Sequence, residues 1–141
     1  MTEERPDYSA EIQGHIDEFR ANDGRLGGYL EGADMLLLHS TGAKSGAEHI
    51  CPLTYQSVGG GYAVFASNYG GPDDPAWVAN LRAHPETTTE IGTETVSVKA
   101  RITEGSERDA IWARQVEIMP GMGEYTKMTD RVFPIIVLER R

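Results

Sequence analysis

The sequence predicts a chain of the α+β class, in which about six mostly antiparallel strands form a small sheet or barrel with three or so helices inserted. Two observations predict this class: short β-branched and aromatic runs are separated by glycine-rich turns, and longer segments carry apolar residues at helical spacing. At 141 residues, the chain is long enough for one hydrophobic core. We expect an N-terminal tail and helix over residues 1–21, then a single domain over residues 22–141.

The first half of the chain predicts one helix and three strands. Apolar residues at helical spacing indicate a helix over residues 8–21, which Asn22 and Gly24 end. The strands are predicted in the stretches ADMLLLHS, EHICPLTYQSV and YAVFAS. The turns between them are HSTGAKSG and the GGG at residues 59–61, so the strands form two consecutive hairpins.

The second half predicts a helix, a hairpin, another helix and a last strand. Asp74 and Pro75 are a typical N-cap and first residue for a helix in AWVANLRA, which a His-Pro pair ends. The stretches TTTEIG and TVSVKARIT predict the hairpin, and Ser106 is expected to cap a helix over residues 106–118. MPGMGEYTKMTDRV predicts a turn with a short helix, and FPIIVLE predicts the last strand.

Composition and charge exclude several classes of function. The formal net charge of −9 opposes binding to nucleic acid or to an anionic membrane. The single cysteine, Cys51, excludes a disulfide framework and is typical of a reducing cytoplasm. The acidic N-terminus lacks the apolar segment of a signal peptide, and the four histidines lack metal-ligand spacing. We therefore expect a cytoplasmic protein without a metal site.

The stretch HSTGAKSG has the composition of a phosphate-binding loop without its pattern. Ala43 stands where a Walker A motif needs glycine, the motif's earlier glycine is missing, and the stretch leads into a strand instead of a helix. Two interpretations remain. The loop is a hairpin turn in which Gly42 and Gly46 supply positive φ, or its backbone N–H groups, Lys44 and Ser45 hold an anionic ligand tail.

Other residues carry weaker signals. Trp77 and Trp112 have apolar neighbours on predicted helices and are expected in the core. Ser67 has no obvious base beside it, which argues against acyl chemistry. The methionines of MPGMGEYTKM are either core residues or an adaptable apolar wall of a pocket. From the residues alone, we expect a domain that binds a small ligand.

Several stretches, taken together and in order, resemble one family. NDGRLGG, TGAKSG followed by CPLTY, ASNYGG, PAWVANLRAHPE and YTKMTDRVFPIIVLE are similar to the deazaflavin (F420)-dependent nitroreductase family, the Ddn-like branch of the flavin/deazaflavin oxidoreductases, over about residues 22–139. The resemblance implies a split β-barrel that passes a hydride from reduced F420 to an activated enone or lactone, a quinone or a nitroaromatic compound. It implies a monomer or homodimer, with FMN as the secondary candidate cofactor.

The resemblance also assigns site residues, position by position. Those that match the cofactor-binding positions are Lys44, Ser45, His49, Pro52, Leu53, Thr54, Ser67, Asn68, Gly70, Trp77, Asn80 and Leu81. Those that match the substrate pocket are Met119, Met122 and Tyr125, and Tyr125 and Ser67 are the candidate catalytic residues.

The chain departs from the family pattern at its cationic positions. Ala43 replaces an arginine, His49 stands near a second one, and Asn68 stands where lysine is frequent. Because each charge-assisted contact is worth about 1.5–3 kcal/mol, weaker binding of an anionic tail or a preference for short tails is expected. Arg25 and Arg82 are the candidate replacements.

The second departure concerns the tyrosines of the family's substrate pocket. Met119 and Met122 stand in that stretch, and methionine cannot donate a proton, so the proton is expected from water, Ser67 or Tyr125. Two alternative functions follow: a non-catalytic protein that binds F420, another flavin or an apolar ligand, and an FMN-dependent oxidase-like enzyme.

Overall fold

In the computed structural model, which describes residues 9–141, six antiparallel strands form a closed barrel in the order β1-β2-β3-β6-β5-β4. The strands are β1 (Met35–Thr41), β2 (Glu48–Val58), β3 (Gly61–Phe65), β4 (Glu86–Ile91), β5 (Glu94–Ile102) and β6 (Ile135–Arg140). The helices are α1 (Ser9–Ala21), α2 (Ala76–Ala83) and α3 (Gly105–Ile118), with 3-10 turns at Gly28–Leu30, Asn68–Gly70 and Pro120–Lys127. The predicted α+β barrel is confirmed. The predicted tail and the helix start at Tyr8 lie outside the described residues.

The long strand β2 changes partner halfway along its length. Residues 48–54 pair with β1, whereas residues 55–58 pair with β3. Within residues 9–141, the second edge of residues 48–54 has no partner strand. The barrel closes on the other side through two residue pairs between β1 and β4. The barrel is therefore split along one half of β2, which leaves backbone groups there for other contacts.

Alternate residues of the strands fill the barrel interior, as the two-residue period of a strand requires. This interior cluster contains Leu36, Leu38, Val64, Val96, Val98, Ile136 and Leu138. Helix α2 packs its buried side chains Trp77, Val78 and Leu81 against the same cluster. The prediction that Trp77 is a core residue is confirmed, and α2 is fixed to the barrel by its apolar face.

The other two α-helices cover the outside of the barrel. Ile16 and Phe19 of α1 pack against Met35 and Leu37 of β1, with Leu26 completing this cluster. On the opposite flank, Ile111 of α3 and Met122 of the following turn pack against residues of β3 and β6. Among the described residues, no helix is long and apolar enough to cross a membrane.

Both helix caps predicted from the sequence are wrong. The N-cap position of α2 is Pro75 without a side-chain hydrogen bond, because the carboxylate of Asp74 pairs with Arg131 instead. Helix α3 begins one residue before Ser106, and its N-cap Glu104 also makes no capping hydrogen bond. The carboxylate of Asp74, which the local sequence pattern assigns to the cap of α2, is bound instead by the distant Arg131.

Candidate cofactor and acceptor site

The loop between β1 and β2 is closed by its own backbone. The Gly42 N–H donates to the Ala47 carbonyl at 2.8 Å, and the Gly46 N–H donates to the Gly42 carbonyl at 2.9 Å. Gly46 has φ +71°, as predicted, but Gly42 does not have positive φ. A Cβ at Gly42 would lie 2.4 Å from Ser45 Oγ, the end of a side chain that can rotate away. The predicted positive φ of Gly42 is wrong.

The tip of this loop presents unused hydrogen-bond donors to solvent. The backbone N–H groups of Lys44 and Ser45 donate to no acceptor within the described part of the chain. Lys44 is exposed and forms no ion pair with a described residue. Because a Cβ at Gly42 would lie 3.2 Å from His49 Nε2, His49 stands beside this glycine as Ser45 does. The structure brings Lys44 and Ser45 of the exposed loop close to His49 at the start of β2.

Helix α2 holds this loop through Asn80. Asn80 Oδ1 accepts a hydrogen bond from the Ala43 N–H at 3.0 Å, and its Nδ2 donates to Ser40 Oγ at 3.2 Å. Asn80 is buried, and Trp77 and Leu81 lie in the interior cluster. In this structure Asn80 positions the loop through hydrogen bonds, whereas Trp77 and Leu81 pack α2 against the barrel interior; direct contact of the three residues with a cofactor stays a prediction.

The segment after β3 forms a tight 3-10 turn at Asn68–Gly70. Asn68 has φ +47°, a conformation that asparagine tolerates better than lysine, and its Nδ2 donates to the Asp73 carbonyl at 3.0 Å. Gly70 has φ +76°, and a Cβ there would lie 2.7 Å from Met128 Sδ. The backbone of this turn therefore fixes both residues, and Asn68 stabilises the turn in place of supplying a charge.

Arg131 fixes the same segment from the other side, and sequence reasoning missed it. Its guanidinium donates to the carbonyls of Ala66 (3.1 Å), Ser67 (3.0 Å) and Gly71 (3.0 and 3.1 Å), and it pairs with Asp74. The only available signal was the position of this arginine just before a buried strand, inside a stretch that carries the family resemblance.

The free edge of β2 lies between the β1–β2 loop and the turn at Asn68–Gly70. Pro52, Leu53 and Thr54 belong to the part of β2 that pairs only with β1, and the β2–β3 pairing ends at Tyr55 and Val64. Residues 66–70 therefore begin where β3 leaves β2. The residues predicted to bind the cofactor on β2 and on the turn after β3 therefore both lie at the split of the barrel.

Cys51, on the same strand, is not a nucleophile at neutral pH. Its side chain packs against the barrel interior, and burial raises the pKa of the thiol to about 11.

A pair of buried glutamines holds the two methionines of the predicted acceptor pocket. Gln115 Nε2 lies 3.4 Å from Met119 Sδ and 3.4 Å from Met122 Sδ. Gln56 Nε2 donates to Gln115 Oε1 at 3.3 Å and to the Ile111 carbonyl at 3.1 Å. Met122 is buried in the outer cluster, which Met119 borders. The signal for Gln115 was its helical spacing with Ile111, which placed a polar residue on an apolar face.

The two candidate catalytic residues lie on adjoining turns. Ser67 is buried, and Tyr125 is half-buried in the turn Pro120–Lys127. The two turns are in contact, since a Cβ at Gly70 would lie 3.2 Å from the Tyr125 carbonyl oxygen. Their roles as catalytic residues stay predictions.

Two cavities adjoin this region and share the segment that precedes β1. The smaller has a volume of about 340 Å³, and both Thr54 and Met119 line it. The larger has a volume of about 760 Å³ and lies beside the end of α1, where Arg25 lines it. The residues that line both cavities are Glu31, Gly32, Ala33, Asp34 and Tyr55. The resemblance assigned Thr54 to the cofactor and Met119 to the substrate pocket, and both residues line the smaller cavity.

A charged cluster ties α1 to the barrel near the loop. Arg20 donates two hydrogen bonds to Glu90, at 2.8 and 3.1 Å, and His39 Nε2 lies 2.7 Å from Glu90 Oε2. His39 Nδ1 lies 3.4 Å from Glu48. The Arg20 guanidinium, with His39, holds the pKa of the Glu90 carboxyl below its usual range.

The closed barrel, its split beside β2 and the donor-bearing loop define a split-barrel oxidoreductase of the flavin and deazaflavin class. Within that class, the chain belongs to the F420H(2)-dependent quinone reductase family, whose model matches residues 11–140. The resemblance predicted from the sequence, with its reductase class and its F420 cofactor, is confirmed at the level of the family.

Individual relatives agree with this assignment. An F420H(2)-dependent quinone reductase of Mycobacterium tuberculosis is 34% identical over 127 residues, which is 87% of this chain and 85% of the relative. A solved structure described as an F420-H2 dependent reductase (FDR-A) is 36% identical with a TM-score of 0.68, over 75% of this chain and 94% of its own. Another, described as a domain-swapped dimer, is 34% identical with a TM-score of 0.70, over 94% of this chain and 98% of its own.

Proposed function

We propose that this protein is an F420H2-dependent reductase whose acceptor is a quinone-like small molecule. One observation carries the proposal beyond family membership: Thr54 of the predicted cofactor strand and Met119 of the predicted acceptor pocket line the same cavity of about 340 Å³. A hydride donor bound along the free edge of β2 and an acceptor in this cavity would be neighbours. Reduced F420, when bound, supplies the hydride.

The cofactor's anionic tail is assigned to the β1–β2 loop. The backbone N–H groups of Lys44 and Ser45 and the ammonium of Lys44 form a set of donors that suits a phosphate or carboxylate. Two backbone donors do not depend on side-chain identity, so they offset part of what Ala43 removes. His49 lies beside them and adds a ring nitrogen.

The chain's own residues then orient the reactants and exclude water. Met119 and Met122 form an apolar wall, which Gln115 holds in place. Neither methionine supplies a proton, so Tyr125, Ser67 or water is the proton source for the reduced acceptor. We also propose a cytoplasmic protein that works as a monomer or homodimer.

The test is a fluorescence titration with F420, followed by anaerobic turnover of F420H2 with 1,4-naphthoquinone, monitored at the 420 nm band of oxidised F420. Lys44→Ala should weaken F420 binding about tenfold, since one charge-assisted contact is worth about 1.5–3 kcal/mol. Lys99→Ala, an exposed lysine on β5, is the matched control and should bind as the wild type does. Equal affinity of the two variants would contradict the anion site.

A non-catalytic binding protein is the second candidate, and the replacement of pocket tyrosines by methionines favours it. It predicts tight binding of F420 with no turnover across quinones, enones and nitroaromatic compounds. Turnover of any of these acceptors excludes it.

A further inference from the structure

The cavity of about 340 Å³ contains a hydrogen-bond acceptor that the protein leaves unused. Gln56 is only 4% exposed, and its Nε2 donates to both the Ile111 carbonyl and Gln115 Oε1. These two acceptors fix the orientation of the amide. Gln56 Oε1 receives no hydrogen bond within the described part of the chain. Every fully buried side-chain oxygen in that part has a partner, so Gln56 Oε1 is not fully buried. Since Gln56 lines this cavity, Oε1 is reached from it.

The same cavity carries an uncommitted cation. Arg114 of α3 lines it next to Gln115. The guanidinium forms no ion pair with any carboxylate of residues 9–141, in contrast to Arg20, Arg101 and Arg131. Because Glu31 and Asp34 also line the cavity, an anion formed there is repelled unless a cation is close.

Reduction of a quinone-like acceptor forms such an anion. Reduced F420, when bound, would supply a hydride with its two electrons, which converts the quinone to its hydroquinone monoanion, and the proton that oxidation of F420H2 also releases would pass to solvent. One proton from solvent or Tyr125 then completes the hydroquinone. Met119, the methionine that lines this cavity, stabilises neither the charged oxygen nor the new hydroxyl group.

We propose that Arg114 stabilises the anionic oxygen of the acceptor and that Gln56 Oε1 accepts the hydrogen of its hydroxyl group. This inference rests on the proposed function and deepens it. An amide oxygen can accept a hydrogen bond but cannot donate one, so an unsubstituted quinone leaves Gln56 Oε1 without a donor, whereas a hydroxyl-bearing ring satisfies it. The site therefore selects hydroxylated aromatic rings, both as reduced product and as acceptors with a ring hydroxyl.

Binding without turnover tests the Gln56 contact. 1-Naphthol, a stable analogue of the reduced product, and 1-methoxynaphthalene, which lacks the donor, are titrated by calorimetry into protein loaded with oxidised F420. We expect naphthol to bind about tenfold more tightly, as one hydrogen bond to a buried polar group predicts. Gln56→Met should abolish the preference, with its thermal midpoint checked in parallel. Equal binding of both compounds to the wild type overturns this contact.

Turnover tests Arg114, whose exposed position makes substitution safe for the fold. Arg114→Gln should lower kcat/KM for 1,4-naphthoquinone about tenfold or more, increase the solvent deuterium isotope effect and leave F420 affinity unchanged. Arg114→Lys should restore part of the rate. Arg141→Gln, the same change at the exposed end of the barrel, is the control. An unchanged kcat/KM in Arg114→Gln overturns the role of Arg114, whereas a wild type that binds no F420 overturns the proposed function itself.

Discussion

At the scale of single residues, Arg131 determines the shape of the Ser67 segment. Its guanidinium donates to three carbonyls, of which Ser67 also accepts from the Gly70 N–H while Ala66 and Gly71 have no other described donor, and its side chain is 15% exposed. The Arg131 guanidinium also lies 4.8 Å from the centre of the Phe133 ring, and this cation–π contact helps to hold it. The residue therefore acts on the candidate site by positioning the backbone.

We expect Arg131→Met to lower the free energy of unfolding by about 3 kcal/mol, because it strands buried carbonyl groups and the carboxylate of Asp74. F420 affinity should fall with it. Urea denaturation and fluorescence titration measure the two effects. Arg101→Met, which breaks exposed ion pairs with Glu107 and Glu139, should cost much less. Equal losses in both variants would show that the three carbonyl contacts contribute nothing.

The reactivity of the Cys51 thiol can be tested chemically, also at the scale of one residue. With the pKa of its thiol raised to about 11, the native protein should resist a thiol-specific disulfide reagent at pH 8 and react at once in urea. Above the ordinary value of 9.0 the thiol ionises in the unfolded chain but not in the folded one. The free energy of unfolding should therefore fall between about pH 9 and pH 11. Cys51→Ala should lose that part of the pH dependence.

At the scale of elements, helix α2 holds the loop between β1 and β2 in place. Asn80 joins the two through Ala43 and Ser40. Asn80→Ala should lower stability by about 2 kcal/mol and weaken F420 binding several-fold, because the Ala43 N–H loses its acceptor. Ser40→Ala removes only the second contact and should retain most of the affinity. If Ser40→Ala weakens binding as much as Asn80→Ala does, the loop is not held through Ala43.

Helix α1 is tied to β4 by the Arg20–Glu90 pair. A carboxyl whose pKa is lowered in the folded state contributes stability above its ordinary value of 4.5, and this is lost as the pH falls below it. Arg20→Met should thus destabilise the protein by about 1 kcal/mol at pH 7, since Arg20 is half exposed. The difference from wild type should vanish near pH 3. Denaturation at both pH values measures it, and a difference that persists at pH 3 would assign it to packing.

At the scale of the whole molecule, the net charge of −9 opposes approach of an anionic cofactor. Salt screens this long-range repulsion over about 10 Å, whereas backbone contacts at the loop are short-ranged. We expect the association rate of F420 to rise about two- to threefold between 10 and 200 mM NaCl in stopped-flow fluorescence. A fall in rate would indicate that local attraction at Lys44 dominates.

The local sequence pattern was sufficient to predict the bounds of an element where that element buries one face and ends at glycine. The predicted bounds of β2, from Glu48 to Val58, are those observed, since a glycine turn follows it. Pattern failed where a contact joins distant parts of the chain. Asp74 looked like a helix cap because its partner lies 57 residues away, and Gln56 meets Gln115 across 59 residues. No local window contains both members of such a pair, so the site's supporting contacts required the folded chain.

Pro52 has a consequence beyond its predicted place near the cofactor. An exposed strand edge can add a strand from another molecule, and such additions are the usual start of aggregation. A proline within a ladder lacks the N–H that a new strand would need on its open side. The proline at the split of the barrel thus opposes the addition of a β-strand from a neighbouring polypeptide to this open edge.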